Sequence, residues 1–213
     1  MQAIRTVSDI GKGRPFVVIH ESGAYTDFSA RISGVLGERT RAVLLETPRV
    51  DDSSWRDLSL QLQNKLKELS IRQASFVGFG AASALLQDLC LEDLKIVRTA
   101  AFVDAASRAH PSRFSRFVDR LERSLPLGLP LRQRTRAFDA KPYLQRIRCP
   151  ALVVTTREAE AFLRSEADLL QAKLPTSWRL ELTSGDEVAE LAQQILDFQE
   201  VPARCPQKNV AGR

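Results

Sequence analysis

The sequence predicts an α/β domain with a mostly parallel sheet and helices on both faces. Short apolar runs recur along the chain without strict alternation, as expected of parallel strands that are covered on both sides. Stretches with helical spacing separate these runs, and such alternation of strands and helices indicates a parallel sheet. With 213 residues, the chain is long enough for one domain with a sizeable core.

Six apolar runs predict the strands. The first follows the turn sequence GKGRP, and the second ends at Thr47 and Pro48, so turn residues bound both. The predicted strands are 16–20, 42–46, 74–77, 98–103, 151–154 and 178–182.

Helical patterns fill the intervals between the strands. Each places apolar side chains on one face, and a cap at Asp52 or Ser53 is predicted for the first. One helix is predicted over 81–89 from its helix-forming residues, and Pro175 ends another. The four apolar stripes are Leu58, Leu62, Leu66 and Leu69; Phe114, Phe117, Val118 and Leu121; Leu163, Ala167, Leu170 and Leu174; and Val188, Leu191, Ala192, Ile195 and Phe198.

These elements place a single domain over residues 1–199. The insert 106–148 is too long for a simple crossover between two strands, so it is expected to form small helices of its own. Residues 200–213 are polar with two prolines, which is typical of a frayed tail.

Composition excludes several classes of protein. No apolar run approaches the roughly 18 residues of a membrane helix, and the first residues lack the apolar core of a signal peptide, so we expect a cytoplasmic protein. The three cysteines show no metal-binding spacing and are expected to be free thiols. Gly11 to Gly13 precede a strand and not a helix, so they do not form a phosphate loop. We therefore expect no cofactor and no metal ion.

The net charge of +5 is concentrated in the insert, and the rest of the chain is close to neutral. A uniformly basic nucleic-acid binder would not have this distribution. Within the insert, four arginines fall on the face opposite the apolar stripe of Phe114, and we call them the arginine face: Arg113, Arg116, Arg120 and Arg123. Three interpretations remain open for this amphipathic segment, namely a lid with solvated arginines, a surface for an acidic partner or anionic ligand, and a lipid surface.

Taken in order, the segments resemble the α/β-hydrolase family over roughly residues 5–199. The segment GKGRPFVVIHESG resembles the strand that leads into the family's oxyanion loop, and ASFVGFGAAS resembles its nucleophile elbow. The segment YLQRIRCPALVVTTREAEAF resembles the strand that carries the family's catalytic acid, and DEVAELAQQILDFQ resembles its closing helix. The resemblance implies an α/β-hydrolase-like fold with the insert as a short helical cap.

The catalytic positions that the resemblance implies are altered. Gly80 stands where the elbow motif Gly-x-Ser-x-Gly has its nucleophile, and Ala159 stands where the acid is expected, between Glu158 and Glu160. No histidine follows His110, so the family's general base has no counterpart. Glu21 replaces a glycine of the oxyanion loop, where a carboxylate would oppose developing negative charge.

The sequence thus predicts a catalytically inactive relative that binds a small ligand or a protein partner. Its ligand site is expected at the carboxyl ends of the strands, where α/β sheets bind ligands, and comprises His20, Glu21, Ser22, Phe79, Gly80, Ala81 and Asp104. The alternative is an active, esterase-like hydrolase with a rearranged triad of Ser22, His110 and Asp104. Ser83 and Cys90 are expected to pack or cap a carbonyl and not to act as nucleophiles.

Overall fold

The computed structural model describes residues 3–49, 55–92, 95–107 and 139–200. These residues form one seven-stranded sheet. The strands are β1 (Arg5–Ile10), β2 (Pro15–Glu21), β3 (Arg41–Thr47), β4 (Ala74–Phe79), β5 (Val97–Val103), β6 (Ala151–Thr155) and β7 (Ser177–Glu181). Their order in the sheet is β1-β3-β2-β4-β5-β6-β7, with β1 antiparallel to β3 and every other pair parallel.

The six predicted strands are confirmed as β2 to β7. The runs of β2 to β6 lie in the sheet interior, where all six residues of β4 are buried. The last strand, β7, is an edge strand with no buried residue among Ser177–Glu181. The strand β1 was not predicted, because it carries a mixture of polar and apolar residues. Five of its six residues are exposed because it is an edge strand, so it lacks the apolar run that marks the others.

Five helices lie within the described residues, together with a 3₁₀ turn at Leu144–Arg146. Four of them correspond to predicted helices, whereas α1 was not predicted. The helices are α1 (Thr26–Gly37), α2 (Trp55–Glu68), α3 (Ala82–Glu92), α4 (Ala161–Lys173) and α5 (Glu187–Phe198).

The helices cover both faces of the sheet, as predicted. On one face, α2, α3 and α4 bury Leu62, Leu86 and Leu170 against the strands. On the other face, α1 and α5 bury Ile32 and Leu191. Because the strands are parallel, β2, β4, β5 and β6 all end at the same edge, which we call the carboxyl edge.

The two described ends of the insert meet each other. The Ala140 N–H donates a hydrogen bond of 2.9 Å to the carbonyl oxygen of Ser107. Glu166 of α4 accepts hydrogen bonds from both the N–H and the hydroxyl of Ser107, at 2.7 and 2.6 Å. Leu144 and Ile147, which follow, pack into the main core. The chain therefore leaves and rejoins the domain at one place.

Several sequence predictions fall outside the described residues. These are the cap at Asp52 or Ser53, the apolar stripe of Phe114, the arginine face, His110 and the tail beyond residue 200. Among the helices that the structure does describe, none combines the length and apolarity that crossing a membrane requires.

Candidate functional site

The elbow between β4 and α3 makes the sharp turn that the sequence predicted. Gly80 has a φ of +53°, a left-handed conformation that glycine adopts at little cost, and its N–H donates to the Val103 carbonyl at 2.9 Å. A Cβ on Gly78 would lie 2.9 Å from Cα of Ser83. The first glycine is therefore needed for close packing of α3 on the strand, and the second for the backbone turn.

The space where a side chain of residue 80 would begin is occupied by Tyr25. A Cβ built on Gly80 would lie 2.9 Å from Cε2 of the Tyr25 ring, closer than such contacts occur. The ring packs against Phe79 with 5.6 Å between centroids, and Phe28 packs edge-on against the same phenylalanine at 5.7 Å. An aromatic ring thus lies beside the position at which the elbow motif presents its nucleophile.

A buried carboxylate holds Tyr25 in this place. The Tyr25 hydroxyl donates to Oδ2 of Asp104 at 3.0 Å. Thr156, just beyond β6, donates its N–H to Oδ1 of Asp104 at 2.9 Å and its hydroxyl to Oδ2 at 2.6 Å. Asp104 is only 2% exposed, so these three bonds replace the water that its carboxylate has lost. We call Tyr25, Asp104 and Thr156 the tyrosine plug.

The backbone of the plug is strained where it meets Gly80. Tyr25 and Asp104 have φ values of +57° and +47°, in the left-handed region that costs an ordinary residue about 1–2 kcal/mol. Such strain persists only where surrounding contacts over-determine the conformation, and it clusters at functional sites. The hydrogen bond between these two residues is one such contact.

The phenol of Tyr25 is a hydrogen-bond donor at neutral pH. Burial raises the pKa of Tyr25 well above its ordinary value of 10.0, and the charge of Asp104 and the hydrogen bond to it raise it further. The phenolate is therefore disfavoured, and Tyr25 is not prepared to act as a base or a nucleophile.

The loop after β2 is held by contacts between the His20 ring and its own carbonyl groups. Nδ1 of His20 lies 3.2 and 3.3 Å from the carbonyl oxygens of Glu21 and Ala24. Because carbonyls only accept, the ring proton belongs on Nδ1, and the buried Nε2 has no partner among the described residues. The Ser22 N–H donates to the Thr47 carbonyl at 2.8 Å. His20 thus holds its loop, and the Ser22 N–H is already engaged.

Ser22 belongs to a polar groove on the outer strands. Its hydroxyl bonds to Glu46, which also accepts from Nε of Arg5 at 2.7 Å. The Ser22 hydrogen bond, followed by the bond and charge of Arg5, holds the pKa of Glu46 below its ordinary value against the opposing effect of burial. The groove has a volume of about 310 Å³, and Thr47 and Pro48 also line it.

The alternative triad is not connected in the described residues. The hydrogen bonds of Ser22 go to Glu46 and Thr47, whereas those of Asp104 go to Tyr25 and Thr156. His110 lies outside the described residues. A rearranged Ser22–His110–Asp104 triad therefore stays a prediction.

The position predicted for the acid carries no buried carboxylate. Ala159 is half-buried in the turn before α4, and the flanking Glu158 and Glu160 are exposed. In the loop where the family's histidine is expected, the N–H groups of Thr183 and Ser184 donate to Glu190. The acid Asp104 that does lie at the site comes from the end of β5.

The two remaining candidate nucleophiles pack as predicted. The Ser83 hydroxyl is fully buried and donates to the Gly78 carbonyl at 2.5 Å. Cys90 is 1% exposed in the core cluster. Within residues 3–49, 55–92, 95–107 and 139–200, no three His, Cys, Asp or Glu side chains converge to hold a metal ion.

The residues of the predicted ligand site do lie together at the carboxyl edge, but the plug changes which are accessible. His20, Phe79 and Asp104 are buried. Ala81 is exposed, and the remaining members are half-buried, namely Glu21, Ser22 and Gly80. Tyr25 and Thr156 were not predicted as site residues. Thr156 lies two residues beyond the predicted strand 151–154, which was a usable signal, whereas Tyr25 gave none.

Comparison with known proteins supports the fold only through structure. No protein-family model and no curated protein matches the sequence. An α/β hydrolase from Sphaerobacter thermophilus superposes with a TM-score of 0.68 at 13% identity, covering 92% of this chain and 95% of that one. A meta-cleavage product hydrolase from Pseudomonas fluorescens superposes with a TM-score of 0.68 at 16% identity, covering 93% of this chain and 94% of that one. An enol-lactonase from Burkholderia xenovorans superposes with a TM-score of 0.67 at 16% identity, covering 92% of this chain and 95% of that one. The chain has the α/β-hydrolase fold.

Proposed function

We propose that this chain is a non-catalytic α/β-hydrolase-like protein that acts by binding a ligand or a partner. One observation carries the proposal. At the elbow, glycine stands at the nucleophile position, and the ring of Tyr25 fills the space that a side chain there would enter. Acyl transfer at this elbow needs an attacking atom and room for the acyl group beside it, and the plug occupies that room.

The engagement of the other polar groups supports the proposal. Ser83 is tied to the Gly78 carbonyl, Ser22 to Glu46, and Asp104 to Tyr25 and Thr156. A hydroxyl nucleophile needs a base within hydrogen-bonding reach. The partners of these two serines are a neutral carbonyl and an ion-paired carboxylate, so neither has a strong base beside it.

A small ligand would bind at the exposed rim of the elbow. This rim is formed by the exposed Ala81 and by the half-buried Glu21, Ser22 and Gly80. For a ligand to reach His20, Phe79 and Asp104, the Tyr25 ring would have to leave. Ligand binding would then be coupled to the loss of the Tyr25–Asp104 hydrogen bond.

The partner in the proposal is an acidic protein that contacts the arginine face. Reversing two of its charges with Arg116→Glu/Arg120→Glu is expected to abolish capture of that partner. Lys12→Glu/Arg39→Glu is a matched control, since both residues are exposed and the change in charge is the same. Equal loss in both variants would mean that capture depends on net charge and not on this face.

Hydrolysis of short-chain nitrophenyl esters tests the absence of catalysis. The full chain is expected to release nitrophenol no faster than the same concentration of heat-unfolded chain. Turnover that is saturable in ester and is removed by Ser22→Ala or His110→Ala would contradict the proposal and support the alternative hydrolase.

A further inference from the structure

Two cysteines that are distant in the sequence lie side by side in the core. Cys90 is near the end of α3, and Cys149 immediately precedes Pro150 and β6. Their sulfur atoms share a hydrogen bond and are 3.8 Å apart. Both are free thiols. A disulfide needs about 2.05 Å between the sulfurs, so a modest side-chain movement would join them.

The two thiols differ in the way that a reacting pair requires. Cys149 is half-buried at the margin of the core, whereas Cys90 is 1% exposed. The hydrogen bond with Cys90 lowers the pKa of the Cys149 thiol, and burial raises the pKa of the Cys90 thiol.

We propose that Cys90 and Cys149 form a peroxide-sensitive pair, in which Cys149 is oxidised first and Cys90 then closes a disulfide. This assigns chemistry to residues that the binding function does not use. The oxidant is hydrogen peroxide or another hydroperoxide.

Oxidation of the pair proceeds in two steps. The Cys149 thiolate attacks one oxygen of hydrogen peroxide, so that an S–O bond forms, the O–O bond breaks and hydroxide leaves. The Cys149 sulfenic acid is then attacked by the sulfur of Cys90, an S–S bond forms, and the oxygen leaves with the Cys90 proton as water. In sum, two thiols and one peroxide give one disulfide and two waters.

The disulfide would close a loop that contains the whole insert. It would link α3, which begins at the elbow, to the segment that leads into β6 and on to Thr156 of the plug. A single proteolytic cut anywhere in residues 91–148 would then leave two fragments that stay joined until a reductant is added. Oxidation would also constrain the unfolded chain, and hence raise the resistance of the domain to unfolding.

Peroxide treatment of the reduced full chain tests the pair. Thiols are counted in denaturant, the intact mass is measured, and disulfide-linked peptides are mapped without reduction. The wild type and Cys205→Ser are expected to lose two thiols and two hydrogen atoms of mass, with Cys90 linked to Cys149, and dithiothreitol is expected to reverse the change. Cys205→Ser is the matched control because it removes the one cysteine outside the described residues.

The order of the steps is tested by trapping sulfenic acid with dimedone. In Cys90→Ser, the label is expected on Cys149. In Cys149→Ser, labelling of Cys90 is expected to be at least about tenfold slower, because it is buried as a thiol. Equal labelling would overturn the order. A linkage through Cys205, or oxidation of Cys149 to sulfinic acid in the wild type without a link to Cys90, would overturn the pair, and the wild-type map decides this even if a variant fails to fold.

Discussion

Adding one carbon atom at the elbow should destabilise the chain in two separable ways. In Gly80→Ala, the first cost is the backbone, because a φ of +53° costs a residue with a side chain about 1–2 kcal/mol. The second cost is steric, because the new Cβ would lie 2.9 Å from the Tyr25 ring. Forcing a packed group aside typically costs about 1–3 kcal/mol. The expected loss of unfolding free energy is therefore about 2–5 kcal/mol.

A double-mutant cycle separates the two costs. Tyr25→Ala removes the ring, so Gly80→Ala in that background should lose only the backbone part. The coupling between the two substitutions is therefore expected to be about 1–3 kcal/mol. Urea unfolding of the four proteins, followed by tryptophan fluorescence, measures each free energy, and the chain has two tryptophans.

Phe28→Ala provides the control for this cycle. Phe28 also packs on Phe79, but it is absent from the atoms nearest to the Cβ built on Gly80. Phe28→Ala and Gly80→Ala should therefore add to within about 0.5 kcal/mol. If Tyr25→Ala and Gly80→Ala were equally additive, the Tyr25 ring would not occupy the nucleophile position, and the reasoning would be refuted.

Three further predictions concern single sites. Tyr25→Phe should cost about 1–3 kcal/mol at neutral pH. It should also flatten the loss of stability above pH 10, because the raised pKa of this phenol in the folded state lets the unfolded state ionise first; denaturation at several pH values measures this, and an unchanged slope would contradict it. Glu46→Gln should flatten the fall of stability below pH 4.5 in the same experiment. The carboxyl of Glu46 has a lowered pKa in the folded state, so it stabilises the fold above that pH and loses this effect as the pH falls. An unchanged dependence of stability on pH below 4.5 would contradict this prediction. Gly78→Ala should lower the midpoint of thermal unfolding and cost about 1–3 kcal/mol, since its Cβ would lie 2.9 Å from the α3 backbone. As a control, Gly34→Ala should stabilise α1 by about 0.5–1 kcal/mol, because a Cβ there would meet nothing within 4 Å.

The sequence predicted the sheet well because burial on both faces leaves a local signal. A continuous apolar run such as that of β4 is visible without knowledge of its neighbours. The edge strand β1 has five exposed residues and gives no such run. The helix α1 was missed as well. Its two glycines, Gly34 and Gly37, weaken a helical pattern.

The candidate site was predictable only where it lies within one segment. The glycine spacing of the elbow predicted the turn at Gly80, and Asp104 was found because it follows a strand. Tyr25 was not found, because its place beside Gly80 depends on a left-handed backbone conformation and on how α1 packs. The Cys90–Cys149 contact was missed for the same kind of reason, since the two are brought together by the tertiary fold.

Reaction with a fluorophosphonate, read as intact mass, tests the central claim most directly. The reagent phosphonylates an activated serine and needs no knowledge of the substrate. With glycine at the elbow and Tyr25 beside it, the native full chain is expected to gain no adduct beyond that of the urea-unfolded chain. A stoichiometric adduct on one serine of the native chain, absent after unfolding, would contradict the account.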